Sequence, residues 1–221
     1  IGFVDVLLGL KEEPNIDLYV TGSNSRMLSM DILTEFKDRG EEIRVNPLTY
    51  DEFMSAYQGD SRLAWTEFMM YGGMPFVMHK DGHAEKAAYL QGLFEKTYIT
   101  DVIERNQLKA SKDVLEDLLN YLASSVGSLT NATRLENTFR STRKLNITHK
   151  TISAYIDHFI DAFIIKKAER YDIKGRKYIG AQQKYFFTDV GLRNVRLNFR
   201  QQEENHIMEN VLYNELRIRG Y

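Results

Sequence analysis

From Ile152 to Phe163 the apolar residues Ile152, Tyr155, Ile156, Phe159, Ile160 and Phe163 return at intervals of three and four. At 3.6 residues per turn, this spacing gathers them into one helical stripe. A stripe that wide needs other elements to cover it, so the segment belongs to a packed body. His149, Lys150 and Ser153 fall outside the stripe, near the helix start. A helix built this way presents its first turn to solvent, as the recognition helix of a helix-turn-helix unit does when it enters a DNA groove.

The residues that follow read as a hairpin. Phe163 to Tyr171 has strand character, Asp172-Ile173-Lys174-Gly175 is a turn, and Arg176 to Phe187 returns as the second strand. Helix plus hairpin is the winged variant of the motif. Lys166, Lys167, Arg170, Lys174, Arg176, Lys177 and Lys184 crowd the wing. The net charge of the chain is only -2, yet residues 140–185 hold eleven Lys and Arg against four Asp and Glu. Residues 1–139 hold thirteen against twenty-two. Such asymmetry points to polyanionic partners, and phosphate contact by the wing is sequence-independent and salt-sensitive. His149, Lys150, Ser153, Lys174, Arg176 and Lys177 are therefore the candidate DNA contacts. A winged helix that serves only as a packing or protein-binding module explains the same pattern without DNA.

Upstream, the pattern is helical with clear punctuation. Thr49 and Glu52 stand at capping-box spacing before a short helix. A second helix covers Ser61 to Tyr71 and ends at Gly72-Gly73, with Pro75 preventing its continuation. A long third one runs from Gly82 to Arg105, and a fourth from Asp113 to Val126. Thr133 and Glu136 repeat the capping-box spacing ahead of Leu135-Phe139. Asp101 and Arg105, four apart, read as a surface pair. The apolar and aromatic stripe of Phe53, Met54, Tyr57, Trp65, Phe68 and Met69 reads as core. Asp189 is placed to cap the short helix after it, because an acidic side chain accepts from free N-terminal amides.

Composition narrows the class without naming it. Apolar residues make up 43% of 221, enough for a sizeable core in one large or two small domains. Without cysteine there is neither a disulfide framework nor a thiolate metal site, which permits a cytoplasmic setting. No apolar run approaches the ~20 residues of a membrane helix, and no membrane partner is expected. The five histidines show no metal-binding spacing, and Asp81-Gly82 interrupts His79 and His83.

Four further segments carry a resemblance. Ile16-Asp17-Leu18-Tyr19-Val20 reads as a buried strand and runs into Thr21-Gly22-Ser23-Asn24-Ser25, where polar groups past a strand end face a ligand crevice. Pro47-Leu48-Thr49-Tyr50-Asp51-Glu52-Phe53 follows a second strand at Glu42 to Val45. Tyr71-Gly72-Gly73-Met74-Pro75 and Tyr185-Phe186-Phe187-Thr188-Asp189-Val190-Gly191-Leu192-Arg193 come later. Over nearly its whole length the chain resembles the archaeal-type P-loop ATPases, relatives of AAA and STAND ATPases with a C-terminal domain of unknown function. No GxxxxGK[ST] loop occurs in it, so the resemblance implies a piece of a longer protein whose phosphate loop and magnesium-binding acidic strand precede Ile1.

The resemblance further implies that Ser23 or Asn24 senses the γ-phosphate or its attacking water. Arg39 lies where relatives show Gly-Arg, although this chain reads Asp38-Arg39-Gly40. Gly72, Gly73 and Pro75 would lie near the adenine, and Arg105 would face nucleotide. The helix from His206 to Tyr221 is similar to the first helix of a restriction-endonuclease-like fold, with Glu209 and Glu215 at the metal-ligand positions.

The expected fold class is therefore α/β plus all-α. It divides into a P-loop core remnant at 1–48, a helical lid at 49–107, a winged helix at 108–197 and the start of a nuclease-like domain at 198–221. The expected function is the C-terminal part of an ATP-binding ATPase whose nucleotide state is coupled to the winged helix. ATP and Mg belong to the whole protein, and the fragment alone is expected to be inactive without either cofactor. The alternative is a DNA-binding winged-helix module or regulator without ATPase activity, and self-association is left open.

Overall fold

The computed structural model of the protein describes residues 3–22, 41, 43–95, 100–105, 112–169, 182–200 and 203–221. In chain order these form α1 (Phe3–Lys11), α2 (Tyr50–Ala56), α3 (Ala64–Tyr71), a 3-10 helix at Pro75–His79, α4 (Gly82–Leu93) and α5 (Thr100–Arg105). They continue with α6 (Lys112–Ser124), α7 (Ala132–Arg143), α8 (His149–Asp161), β1 (Ile165–Ala168), β2 (Lys184–Phe187), α9 (Val190–Arg196) and α10 (Glu204–Ile218). The described residues are thus mostly helical, with one antiparallel two-stranded sheet.

Of the expected hairpin, the antiparallel pairing is present as β1 against β2, in the register Ile165 to Phe187 and Lys166 to Phe186, and the turn expected at 172–175 lies outside the described residues. The two strands expected upstream are not. Residues 16–20 and 43–46 carry no strand, and Ile16, Tyr19 and Val45 are 45%, 81% and 90% exposed. A strand exists only against a neighbour that accepts and donates along its ladder. Among the described residues neither segment has one, so its apolar side chains stay on the surface.

The helices follow their patterns with local differences. At α2 both halves of the capping box form, with Thr49 N donating to Glu52 Oε2 at 2.8 Å and Glu52 N to Thr49 Oγ1 at 3.2 Å. The spacing expected at Thr133 and Glu136 resolves differently, because Asn131 caps α7 by accepting from Arg134 N at 2.8 Å. Glu136 is thereby left for another task. Gly82 to Arg105 is described as two helices, α4 and α5, with residues 96–99 between them outside the description.

At the end of α8 the apolar stripe outlasts the helix. Ile152, Ile156 and Phe159 are buried on it, but Phe163 lies beyond the last helical residue with φ of 57°. Ile164 N donates to Phe159 O and Phe163 N to Ile160 O, both at 3.0 Å, which closes the helix by a left-handed residue. Phe163 therefore turns the chain into β1 instead of extending the helical face.

One large apolar cluster joins α4, α6, α7, α8, both strands and α9, so side chains on both sides of residue 108 share a core. Leu115, Leu118, Leu119 and Leu122 of α6 lie inside it, each fully buried. Burial of such a side chain contributes about 1.5–3 kcal/mol. A second cluster holds Phe53, Ala64, Phe68, Val190, Ile207 and Val211, and fixes α10 to α2 and α3. The seven-residue α9 meets α3, α4, α6, α10 and β2, and its residues from Val190 to Val195 are buried. It is the hub of the molecule.

Candidate functional site

The two motifs at Gly72-Gly73 and Asp189, 116 residues apart, meet at this hub. Asp189 accepts from Leu192 N at 3.0 Å, which caps α9 as its position suggests. Its other oxygen accepts from Gly73 N at 2.7 Å. One buried carboxylate thus holds the turn after α3 to the start of α9.

Glycine is required here because the contacts are backbone-close. Gly72 ends α3 with φ of 74°, and a Cβ on it would stand 2.2 Å from Asp189 Oδ1. A Cβ on Gly73 would stand 2.2 Å from Leu48 O, while Leu48 N donates to Gly73 O at 2.9 Å. On Gly191 it would stand 2.0 Å from Tyr71 O. Three glycines allow three backbones to converge on one aspartate. Pro75 opens the 3-10 helix, exposed beside the junction.

The rest of the Asp-x-Gly-Leu-Arg segment completes the lock. Arg193 is buried, and its Nε donates to Ala123 O at the end of α6 at 2.9 Å. Asn194 donates its amide to Met69 O and Met70 O at 2.8 and 2.9 Å. Both side chains engage carbonyls near helix ends, where fewer intrahelical donors remain. From the other side, Asn210 accepts from Phe187 N at 2.9 Å and donates to Phe187 O at 2.7 Å, acting as a one-residue strand along β2.

Burial shapes the electrostatics of the junction. Desolvation pushes the Asp189 carboxyl up to about 6, against the backbone N–H groups of Gly73, Leu192 and Gly191 that pull it down. Burial likewise lowers the Arg193 guanidinium from its ordinary value. A shallow cleft beside Asp189 is lined by Leu48, Thr49, Asn214 and Glu215. Glu215 accepts from Tyr50 N at 2.8 Å and Asn214 donates to Phe187 O and Thr188 O, while Asn214 Oδ1 is buried with no hydrogen-bond partner among the described residues.

The exposed face of α7 and α8 has a different construction. Thr148 caps α8 by accepting from Thr151 N. His149, Lys150 and Ser153 are exposed on its first turns, where the spacing puts them. Glu136 of α7 accepts from His149 N at 2.8 Å and meets His149 Nδ1 at 3.0 Å. Those two contacts hold the Glu136 carboxyl below its ordinary value. The glutamate expected to complete a cap instead ties α7 to α8.

Ser23, Asn24, Arg39, Lys174, Arg176 and Lys177 lie outside the described residues. Among those described, no group of His, Asp and Glu is arranged to hold a metal. Glu209 pairs with Lys184 at 2.5 Å, and Glu215 reaches Tyr50 N as above and Arg219 at 3.4 Å. His83 Nδ1 meets Tyr71 OH at 2.9 Å. No described helix is long and apolar enough to cross a membrane.

Sequence reasoning identified Asp189 as a cap and Gly72-Gly73 as a helix end, but not their contact. It also missed Asn194 and Asn210. A buried asparagine on an otherwise apolar helix face was the available signal, since such a group must be hydrogen-bonded.

An uncharacterized protein of Haemophilus influenzae is 34% identical over 225 residues, taking in 100% of this chain and 56% of that protein. Uncharacterized protein MJ1544 of Methanocaldococcus jannaschii is 25% identical over 223 residues, covering 95% of this chain and 49% of its own length. The chain spans about half the length of the curated relatives it matches. No solved structure matches it. Residues 62–203, which include the Gly72-Gly73 turn, α7, α8 and Asp189, match one family over more than half of the chain, and the protein belongs to that family, the Domain of unknown function (DUF8612).

Proposed function

We propose that the chain is the C-terminal part of an ATP-binding P-loop ATPase, in which the Gly72-Gly73-Met74-Pro75 turn reports nucleotide state to the winged helix. The observation that carries this reading is the bond from Gly73 N to Asp189 at 2.7 Å. Through it the turn expected to face the adenine is fastened to α9, which packs on β2 and on α6 of the helical body. A displacement of the turn must either break a buried hydrogen bond or move α9. Ser23 and Asn24 would sense the γ-phosphate, with Arg39 as a further charge near it. ATP and Mg would be held by the upstream loop and acidic strand, where positioning and charge stabilisation accomplish phosphoryl transfer.

The test begins with the gene. A GxxxxGK[ST] loop encoded before Ile1, together with magnesium-dependent ATP turnover by the longer protein and none by residues 1–221, is the expected result. Absence of such a loop, or turnover by this chain alone, overturns the reading. Ser23→Ala with Asn24→Ala is expected to cut turnover by about two orders of magnitude, the scale of a lost positioning group.

The exposed first turn of α8 favours a second reading, a DNA-binding winged helix that works without nucleotide. Its mark is a salt-dependent shift of a duplex by the chain, weakened by Lys150→Glu and by Lys174→Glu with Arg176→Glu. If the duplex is not retained at low salt, this second reading fails.

A further inference from the structure

One side of α10 is committed to the body: Ile207 and Val211 pack with Phe53 and Phe68, and Asn210 holds Phe187. On the far side Met208, Leu212 and Leu216 follow at i, i+4 and i+8, which sets them in one row. They are 48%, 56% and 41% exposed. Single apolar side chains on a surface need no explanation, but a continuous row along a 15-residue helix marks a contact surface. The exposed residues of α7, by contrast, are all polar.

The ends of the row carry opposite charge. Glu204 lies one turn before Met208, and Arg219 lies about one turn after Leu216. Both are exposed. Arg219 meets Asp51 and Glu215 at 3.3 and 3.4 Å, yet its side chain keeps 58% of its surface in solvent. A row that is acidic at its start and basic at its end is complementary to its own reverse. Two parallel copies would set glutamate on glutamate and arginine on arginine, which is repulsive. In an antiparallel pair Leu212 meets its own copy, Met208 meets Leu216 of the other copy, and Arg219 reaches Glu204 at both ends.

We infer that the outer face of α10 binds a second copy of this chain, as an antiparallel helix pair about a two-fold axis at Leu212. The apolar row supplies the contact and the terminal charges choose the direction. Three apolar side chains per copy make a small interface beside that of a permanent dimer, so the pair is a transient one with a dissociation constant of about 10–100 μM. The inference rests on α10 and does not depend on the ATPase reading. Asn210 and Asn214 of the same helix hold Phe187 and Thr188 next to Asp189, so pairing places two Asp189 junctions on the two sides of one helix pair.

Sedimentation of residues 1–221 is expected to show monomer at about 1 μM and mostly dimer at about 500 μM. Leu212→Glu sets two carboxylates together on the axis and is expected to weaken association about tenfold or more, with the melting temperature of the dilute chain unchanged because the side chain is exposed. Arg219→Glu and Glu204→Arg are each expected to weaken it about fivefold, and both together in one chain to restore it. The chain has no cysteine, so single substitutions report the direction. On mild oxidation Leu212→Cys is expected to form a disulfide between copies, and Met208→Cys to couple with Leu216→Cys in preference to itself. Self-coupling of Met208→Cys instead, a monomer at about 500 μM, or association that survives Leu212→Glu overturns the inference. Shielding of Leu212→Cys from alkylation in a monomeric longer protein also overturns it, and assigns the face to a segment of the same polypeptide.

Discussion

At the Asp189 junction a Cβ added to Gly191 would stand 2.0 Å from Tyr71 O, whereas around the first turn of α8 the side chains of His149, Lys150 and Ser153 are exposed. The junction is set by what is missing: three glycines let backbones approach a buried carboxylate. The face of α8 is set by what is added, a Thr148 cap and a carboxylate from the neighbouring helix. The first kind of site tolerates almost no change, because an atom inserted there has nowhere to go. The second tolerates most changes to its outward residues and leaves Lys150 and Ser153 exposed to a ligand, while His149 is engaged by Glu136. One region can transmit a displacement, and the other can present chemistry.

Four measurements sharpen or break this contrast, beginning with the glycines. Gly191→Ala and Gly73→Ala are each expected to cost about 3 kcal/mol or more, since backbone atoms must shift to make room. Chemical denaturation would show this as a large fall in midpoint at unchanged slope. If either variant unfolds with the parent midpoint, the junction is not the rigid element described.

Asp189 gives the next effect, and it depends on pH. Its folded value of about 6 stands above the ordinary 3.8, so the native state holds this proton more tightly than the unfolded chain. The corresponding stability is present in full below about pH 3.8 and is lost as pH rises through about 6, amounting to roughly 3 kcal/mol at about 1.4 per unit. Asp189→Asn cannot titrate. The stability of the parent relative to this variant is therefore expected to fall from pH 4 to pH 7 and then to level off. A difference that stays flat over that range contradicts the buried carboxylate.

Asn210→Leu comes third. It leaves Phe187 N without its buried side-chain acceptor, while Phe187 O keeps Asn214, and is expected to cost about 2 kcal/mol. Slow exchange of the Phe187 amide should be lost with it, while that of Ile152 in α8 persists. At the α8 face the effects are smallest. Thr148→Ala is expected to cost about 1 kcal/mol as a lost cap, and Lys150→Ala to leave the melting temperature where it was. A large loss from Lys150→Ala would make that face structural after all.

Much of the helical body was legible in the pattern of residues. The stripe Ile152, Ile156 and Phe159 faces the core as its spacing requires, the Thr49 and Glu52 box forms, and Asp189 caps α9. These features depend on neighbours three or four residues apart, which a linear reading contains. The strand expected at residues 16–20 failed for the opposite reason, since a strand is defined by its partner and none pairs with it among the described residues. Glu136 failed more subtly. Its spacing fitted a cap, but Asn131 filled that role and His149 offered a better use for the carboxylate.

By itself, then, the order of residues determined most of the helices, their inward faces, the pairing of β1 with β2 and the concentration of positive charge between residues 140 and 185. Tertiary structure alone decided that Gly73 donates to Asp189 across 116 residues and that Asn210 completes the edge of β2. Periodicity encodes which side of an element is apolar, because that depends only on local geometry. Which polar groups share a buried space depends on how the elements pack, and one wrongly placed donor or acceptor there costs as much as a core side chain gains.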